Sequence, residues 1–292
     1  MVKLASNGLM IEVETFGRAS DPPLVLIMGL GCQMIYWHEE FCEALAAQGF
    51  RVIRFDNRDI GLSTKLDEHG VPPVLRLLFR GGIGLRLQVP YGLAEMADDT
   101  VGLLDAMGIE RAHVVGVSMG GMIAQMMAIR APERLLSLCS WSSTTGERRC
   151  STPTPRALKA LLSRPSPGRR GRVEHAVRFM QVVGTGHLAD ETWLRDRVAL
   201  AYDRSNYWPG FIRQFAAVVT ARPRSRALAK VRVPTLVLHG AADSLIPAAG
   251  GRATAAAIEG ARLEVFEGMG HDVPRALWPE LVRAIADNAS RA

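Results

Sequence analysis

Long apolar runs and lysine are both scarce in this chain of 292 residues. No stretch of 18 apolar residues occurs, which argues against a membrane-spanning helix. The first 17 residues lack the apolar core of a secretion signal, so we expect a cytoplasmic protein. Only four of the 35 basic residues are lysine. An arginine bias of this kind often follows genome composition, so the net charge of +6 is weak support for a polyanionic partner.

Cysteine is also scarce, and its spacing suits neither a disulfide framework nor a zinc site. The four cysteines form no C-x-x-C pair: Cys32, Cys42, Cys139 and Cys150. We therefore expect reduced thiols, no metal and no cofactor. Hydrophobic residues make up 48% and charged residues 22% of the chain, which is typical of a globular protein and excludes extended disorder.

Apolar patterns predict strands that alternate with helices along most of the chain. Short apolar runs predict strands over 9–16, 24–28, 51–56, 113–118, 137–141, 235–240 and 263–268. Helical spacing of apolar residues predicts helices over 37–48, 91–108, 121–131 and 274–288. This alternation is typical of βαβ units, so we expect an α/β fold with a mostly parallel, doubly wound sheet.

The alternation stops between residues 142 and 226, where the sequence is rich in proline and arginine and helical in pattern. We therefore expect a core of residues 1–141 and 227–292 with an inserted helical cap. Residues 142–230 carry 17 basic and six acidic side chains, whereas the rest of the chain carries 18 and 23. The positive charge thus belongs to the predicted cap. Its arginines either steer an anionic ester or lipid surface, or keep a mobile lid solvated.

A G-x-S-x-G pattern marks the candidate nucleophile, Ser118, between a predicted strand and a predicted helix. A sharp strand-to-helix turn strains the serine backbone, and side chains at Gly116 or Gly120 would collide there. The N-terminus of the following helix favours negative charge that develops at the site.

A serine hydroxyl needs a neighbouring base, and His271 is the histidine that follows both a candidate acid and the last predicted strand. Asp243, in the loop after the strand 235–240, is the candidate acid that would orient the imidazole. His239, at the end of that strand, suits packing or hydrogen bonding, and Asp272 suits a structural role.

An oxyanion hole needs two backbone N–H groups near the nucleophile. Met119, directly after Ser118, supplies one, and the loop after strand 24–28 supplies the other. Leu30 lies in that loop between Gly29 and Gly31, and its N–H is the candidate second donor.

The chain resembles the α/β-hydrolases, specifically the single-chain carboxylesterase and lipase-like group that includes polyketide methylesterases. The matching segments are MGLG (28–31), FDNRDIGLS (55–63), GVSMGG (116–121), HGAADSLIP (239–247) and GMGHD (268–272). The resemblance implies a Ser118, Asp243 and His271 triad with Leu30 and Met119 as the oxyanion hole. The chain departs from the family at two positions. Met28 stands where many relatives have histidine, and Asp59 stands where a glycine is usual, so we interpret Arg58 and Asp59 as structural turn residues.

A serine nucleophile disfavours haloalkane dehalogenases and epoxide hydrolases, which use aspartate, and dienelactone hydrolases, which use cysteine. We expect a serine carboxylesterase that hydrolyses short- to medium-chain esters. Alternatives on the same triad are a thioesterase, a lysophospholipase, a C–C bond hydrolase or a perhydrolase, and a non-enzymatic binding protein is a further alternative.

The pocket candidates are Gly29, Trp37, Trp208 and Phe211. A basic amphipathic stretch at 71–90 is either a partly buried helix between a strand and a helix or a second rim of the site. As a rim it would allow transient contact with a lipid surface without stable insertion. The expected partner is a small-molecule ester rather than nucleic acid, and we expect a monomer or homodimer.

Overall fold

The computed structural model describes residues 1–73, 88–186 and 190–292. Within them eight strands form one sheet: β1 (Val2–Ser6), β2 (Leu9–Phe16), β3 (Pro23–Ile27), β4 (Arg51–Phe55), β5 (Ala112–Val117), β6 (Leu135–Trp141), β7 (Thr235–Gly240) and β8 (Arg262–Phe266). The strand order is β1-β2-β4-β3-β5-β6-β7-β8. Strand β2 pairs antiparallel with both β1 and β4, and the other five pairings are parallel. The predicted α/β class and mostly parallel sheet are confirmed.

The described residues also form eleven α-helices. They are α1 (Glu39–Ala47), α2 (Leu93–Ala106), α3 (Met119–Arg130), α4 (Arg148–Ser151), α5 (Pro155–Leu162), α6 (Gly168–Val183), α7 (Glu191–Arg204), α8 (Trp208–Val219), α9 (Ser225–Leu228), α10 (Ala248–Ala257) and α11 (Trp278–Ala289). No helix among the described residues combines the length and apolar character needed to cross a membrane.

Both faces of the sheet are buried, as the continuous apolar run in β3 predicts. Val25 and Ile27 point into a core that also contains residues of α2 and α3. Leu24 and Leu26, which alternate with them, point into a second core that contains residues of α1 and α11. The doubly wound arrangement follows from this burial, because each face needs its own layer of helices.

The structure differs from the predicted elements at three places. β1 carries no clear alternation, because it is a largely exposed edge strand. Helix α10 is rich in alanine and glycine and therefore lacks an apolar period. Helix α11 begins at Trp278 rather than at 274, because the short 3-10 turn Arg275–Leu277 precedes it.

Between β6 and β7 the structure places α4 to α9, and the described residues of this segment contain no strand. We call the segment from 142 to 226 the helical insertion; its boundaries as a separate domain stay a prediction. Among the described residues, three ion pairs join it to the sheet part of the chain: Arg197 with Glu39 (2.7 Å), Arg204 with Asp56 (2.6 Å) and Arg213 with Asp59 (2.8 Å). Some of its excess arginines therefore neutralise carboxylates of the more acidic remainder.

The basic stretch predicted at 71–90 falls mainly on residues 74–87, which lie outside the described residues. Its role as a rim of the site stays a prediction.

Candidate active site

Ser118 lies on the sharp turn between β5 and α3, with φ 57° and ψ −120°. This is a left-handed backbone region that non-glycine residues rarely adopt. A Cβ atom on Gly116 would lie 2.1 Å from the carbonyl oxygen of Gly120, and one on Gly120 would lie 2.1 Å from the carbonyl oxygen of Ile27. The predicted steric reason for both glycines is therefore confirmed, and the turn presents the Ser118 hydroxyl at the carboxyl end of the sheet.

Ser118, His271 and Asp243 form a continuous chain of hydrogen bonds. His271 Nε2 lies 3.0 Å from Ser118 Oγ, and His271 Nδ1 lies 2.7 Å from Asp243 Oδ2. The other Asp243 oxygen accepts hydrogen bonds from the backbone N–H groups of Leu245 and Ile246. This geometry lets His271 take the Ser118 proton while Asp243 fixes the ring orientation.

The pKa shifts of Asp243 and His271 are those that a general base and its orienting carboxylate require. Burial by itself would raise the pKa of Asp243, but its interactions with His271 and His239 outweigh burial and hold that pKa well below its usual range. Burial would lower the pKa of His271, but Asp243 and then Asp272 outweigh it and raise that pKa. His271 is therefore a stronger base than a free imidazole, and Asp243 is held as a carboxylate.

His239 and Asp272 take the structural roles that the sequence predicts. His239 is fully buried beneath Asp243, and its Nε2 lies 2.8 Å from the carbonyl oxygen of Ile246. Asp272 accepts hydrogen bonds from the backbone N–H of Thr185, at 3.0 Å, and from the Thr185 hydroxyl. Asp272 is thus bonded to the helical insertion.

The C-terminal end of α6 holds both loops that carry the candidate base and acid. Besides the two bonds from Thr185 to Asp272, three hydrogen bonds among the described residues join them: His271 N–H to Val183 O (2.6 Å), Gly270 N–H to Thr185 Oγ1 (2.9 Å) and Ser244 Oγ to Val182 O (3.1 Å). The last carbonyl groups of a helix have no partner within the helix. Here the loops around His271 and Asp243 supply the donors, so the insertion helps to place both residues.

The loop after β3 lies against the nucleophile. A Cβ atom on Gly29 would lie 3.2 Å from the Ser118 Cβ atom. The N–H group of Gly31 donates to Gln214 Oε1 at 2.9 Å and is therefore engaged elsewhere. Leu30 and Met119 both border the same cavity as Ser118. Their N–H groups stay the candidate donors for the oxyanion hole.

Ser118 and His271 open into a cavity of about 1200 Å³ between the sheet part and the helical insertion. Gly29, Trp208 and Phe211 line this cavity, as do Leu30 and Met119. The Trp208 and Phe211 rings stack with centroids 4.7 Å apart and planes 17° apart.

The prediction of Trp37 as a pocket wall is wrong. Its side chain is fully buried in the core and stacks on Phe41, with ring centroids 5.9 Å apart. Trp37 directly follows the 3-10 turn Met34–Tyr36, and its ring also packs against that of Trp141. Its neighbours Tyr36 and His38 border the cavity instead.

Asp59, which stands where glycine is usual in the resembling family, has a φ of 69°. Its buried carboxylate accepts hydrogen bonds from Nε and Nη2 of Arg213 and from the Tyr91 hydroxyl. The structural role predicted for Asp59 is confirmed, and its partner from the helical insertion was not foreseen.

Comparison with known proteins identifies the family. The family model for the α/β hydrolase fold matches residues 22–274. The chain belongs to the α/β-hydrolase family. Over 96% of its length, this α/β-hydrolase is 31% identical to a rhodomycin D methylesterase of Streptomyces sp. strain C5, and it covers 94% of that protein.

A rhodomycin D methylesterase of Streptomyces peucetius is 30% identical to this α/β-hydrolase, and the alignment covers 99% of the chain and 98% of that protein. Among solved structures, a meta-cleavage product hydrolase of Pseudomonas fluorescens IP01 has a TM-score of 0.76 at 19% identity. The alignment covers 100% of this α/β-hydrolase and 98% of that protein. At this identity, the structural likeness shows the fold alone.

Two features of this α/β-hydrolase that border the site are not predicted by its sequence patterns. The bond from Thr185 to Asp272 joins residues that are 87 positions apart in the chain, so no local pattern indicates it. The charge pattern places excess positive charge in the insertion but does not single out Arg172, which lines the cavity. The position of Arg172 one turn before His175 and two turns before Phe179 was the available signal, since helical residues so spaced share one face.

Proposed function

We propose that this α/β-hydrolase cleaves carboxylic esters through an acyl-enzyme on Ser118. The observation that carries the proposal is the hydrogen-bonded chain from Ser118 through His271 to Asp243, which opens into the large cavity. The similarity to two methylesterases over nearly the whole chain supports an ester of methanol as the substrate.

In the first half of the proposed reaction, Ser118 Oγ attacks the ester carbonyl carbon while His271 Nε2 takes the hydroxyl proton. The carbonyl oxygen becomes an oxyanion, which the N–H groups of Leu30 and Met119 would stabilise. The tetrahedral intermediate then collapses. The bond to the alcohol oxygen breaks, and His271 gives its proton to the departing alcohol, which leaves the acyl group on Ser118.

In the second half, a water molecule attacks the acyl carbon and His271 takes one water proton. Collapse of the second tetrahedral intermediate breaks the bond to Ser118 Oγ, and His271 returns its proton to that oxygen. The products are one carboxylic acid and one alcohol for each ester and water consumed. Asp243 stays a carboxylate throughout and stabilises the imidazolium in both halves.

The dimensions of the cavity favour a bulky acid part. A volume of about 1200 Å³ lies above the range of roughly 300–1000 Å³ typical of ligand pockets. The short- to medium-length acyl chains that the sequence alone predicted would leave most of this volume empty. We propose a methyl ester of a large, mainly apolar acid. Thioester, lysophospholipid, C–C and perhydrolase chemistry remain alternative predictions for the same triad.

The direct test is active-site labelling together with a substrate profile. A fluorophosphonate probe is expected to label the wild-type protein and the control Ser290→Ala, whose serine is exposed on the C-terminal side of α11, but not Ser118→Ala. The wild-type protein and Ser290→Ala are expected to hydrolyse methyl esters of aromatic acids, whereas Ser118→Ala is not. Equal labelling or equal hydrolysis in Ser118→Ala contradicts the proposal.

A further inference from the structure

The wall of the cavity carries an excess of positive charge. Among the described residues, five arginines line it: Arg148, Arg172, Arg222, Arg224 and Arg275. The carboxylates on the described part of the wall are Asp190 and Asp272. Both have other partners, because Asp190 caps α7 by accepting from the Trp193 N–H and Asp272 bonds Thr185. The described wall therefore carries more guanidinium groups than carboxylates, and one of these guanidinium groups, that of Arg275, also pairs with Glu40.

Arg172 is the half-buried member of this set that has only neutral partners. Its guanidinium lies 5.4 Å from the ring centroid of Trp208 and donates one hydrogen bond, at 3.1 Å, to Asn206 Oδ1. Within the described residues it forms no ion pair. Burial lowers the pKa of Arg172.

A partly buried guanidinium with one neutral hydrogen-bond partner has a net desolvation cost, which an incoming anion would offset. Arg224 offers a useful contrast. Burial lowers its pKa to about 10, but its guanidinium donates to Gln125 Oε1 and to the carbonyl oxygen of Thr144, so its N–H groups are engaged. Arg172 has four further N–H donors for a ligand.

The position of Arg172 on α6 sets its distance from the reaction. It precedes Val183, whose carbonyl oxygen holds the His271 backbone, by 11 residues, or roughly 16 Å at 1.5 Å per residue. Phe179 and Met180, on the turns between them, also line the cavity. Along α6 the cavity wall is therefore apolar at Phe179 and Met180, and His175 and Arg172 make its far end polar.

We propose that Arg172 binds a carboxylate on the acid part of the substrate, at the end remote from the ester that Ser118 cleaves. The Trp208 and Phe211 stack would contact the flat, apolar body between the two groups. This inference rests on the proposed function and defines its substrate class as elongated acids with one esterified and one free carboxyl group. It does not change the chemistry at Ser118.

The test uses matched esters that differ in charge and length. The long pair is the monomethyl ester of biphenyl-4,4′-dicarboxylic acid and its analogue with a primary amide in place of the free carboxyl. The short pair is monomethyl terephthalate and its amide analogue. The readout is the ratio of kcat/KM for the carboxylate over the amide within each pair, measured by chromatography of the released acid.

In the wild-type protein we expect a ratio of about tenfold or more for the long pair, the order of a charge-assisted hydrogen bond, and a ratio near one for the short pair. The variant Arg172→Gln should bring the long-pair ratio close to one. The control Arg178→Gln removes the same charge from an exposed position of α6 that does not line the cavity, and should keep the wild-type ratio.

A long-pair ratio near one in the wild-type protein overturns the inference, as does a high ratio that survives in Arg172→Gln. Calorimetric titration of the long esters into Ser118→Ala, with and without Arg172→Gln, gives the same comparison without turnover. Failure of the proposed function appears differently, as the absence of Ser118-dependent hydrolysis for every ester. Tighter binding of the carboxylate that depends on Arg172 would still support the inference in that case.

Discussion

The backbone N–H of His271 donates a 2.6 Å hydrogen bond to the carbonyl oxygen of Val183. Val183 is the last residue of α6 in the helical insertion, whereas His271 lies in the loop after the last strand of the sheet. The candidate base is therefore held from two sides, by Asp243 at its ring and by the insertion at its backbone. A shift of α6 would move His271 relative to Ser118.

Loss of the Thr185 hydroxyl should reduce turnover. In Thr185→Val, the hydroxyl no longer bonds Asp272 or accepts from the Gly270 N–H, which loosens the loop next to His271. A small displacement of a catalytic group strongly lowers the rate of the chemical step. We therefore expect kcat to fall on the order of tenfold to a hundredfold with little change in KM.

Two variants separate positioning from general destabilisation at Thr185. Thr185→Ser keeps the hydroxyl and should restore most of kcat. Thr254→Val removes a buried hydroxyl that bonds only within α10, so its kcat should match the wild type. A kcat for Thr185→Val equal to that of Thr254→Val would contradict the positioning role.

Neutralising Asp272 should shift the pH profile to lower pH. The Asp272 charge adds to that of Asp243 in raising the pKa of His271. Removing a negative charge destabilises the imidazolium, so the pKa of His271 falls and the neutral base persists at lower pH. When kcat/KM is measured between about pH 5 and 9, the acid limb of the Asp272→Asn profile should therefore lie at a lower pH than the acid limb of the wild type. A shift towards higher pH would contradict this.

Replacing the candidate acid should leave the fold intact and nearly abolish turnover. In Asp243→Asn, the amide no longer stabilises the imidazolium and favours the wrong tautomer of His271. By analogy with the serine protease template we expect kcat to fall by about 10⁴. Circular dichroism checks the fold, and a kcat within tenfold of the wild type would exclude Asp243 as the acid.

The buried pair of Arg213 and Asp59 should be strongly coupled in stability. Both side chains are almost fully buried, so Arg213→Met leaves an unpaired carboxylate and should lower the free energy of unfolding by about 3–5 kcal/mol. Adding Asp59→Gly removes that charge and suits the φ of 69°, so the double variant should recover part of the loss. Urea unfolding measures both, and additive losses would contradict the coupling.

Local rules made the nucleophile predictable. The conformation of Ser118 and the need for Gly116 and Gly120 depend on a few adjacent residues, and the sequence displays them together. Chain order within the resembling family then indicated Asp243 and His271, and the structure brings both within hydrogen-bond distance of each other and of Ser118. Apolar periodicity predicted most strands, because burial on both faces leaves continuous apolar runs.

Trp37 shows where local rules fail. Its position after the β3 loop suggested a pocket wall, but the direction of a side chain at the end of a short turn depends on the packing around it. Phe41 and Trp141 provide an apolar environment for the ring, so Trp37 lies in the core while its two neighbours face the cavity.

By itself, the sequence determined the fold class, the strained serine turn and the identities of the candidate base and acid, because these depend on short-range sterics, periodicity and chain order. The pairing of Arg213 with Asp59, the bonds from α6 to the His271 loop and the place of Arg172 in the cavity became visible in the three-dimensional fold alone. These contacts join residues that are far apart in the chain, or depend on which face of a helix is covered. The excess positive charge of the helical insertion was visible in the sequence. Three-dimensional packing determined which of its arginines pair with carboxylates of the sheet part and that Arg172, which has no such pair among the described residues, lines the cavity.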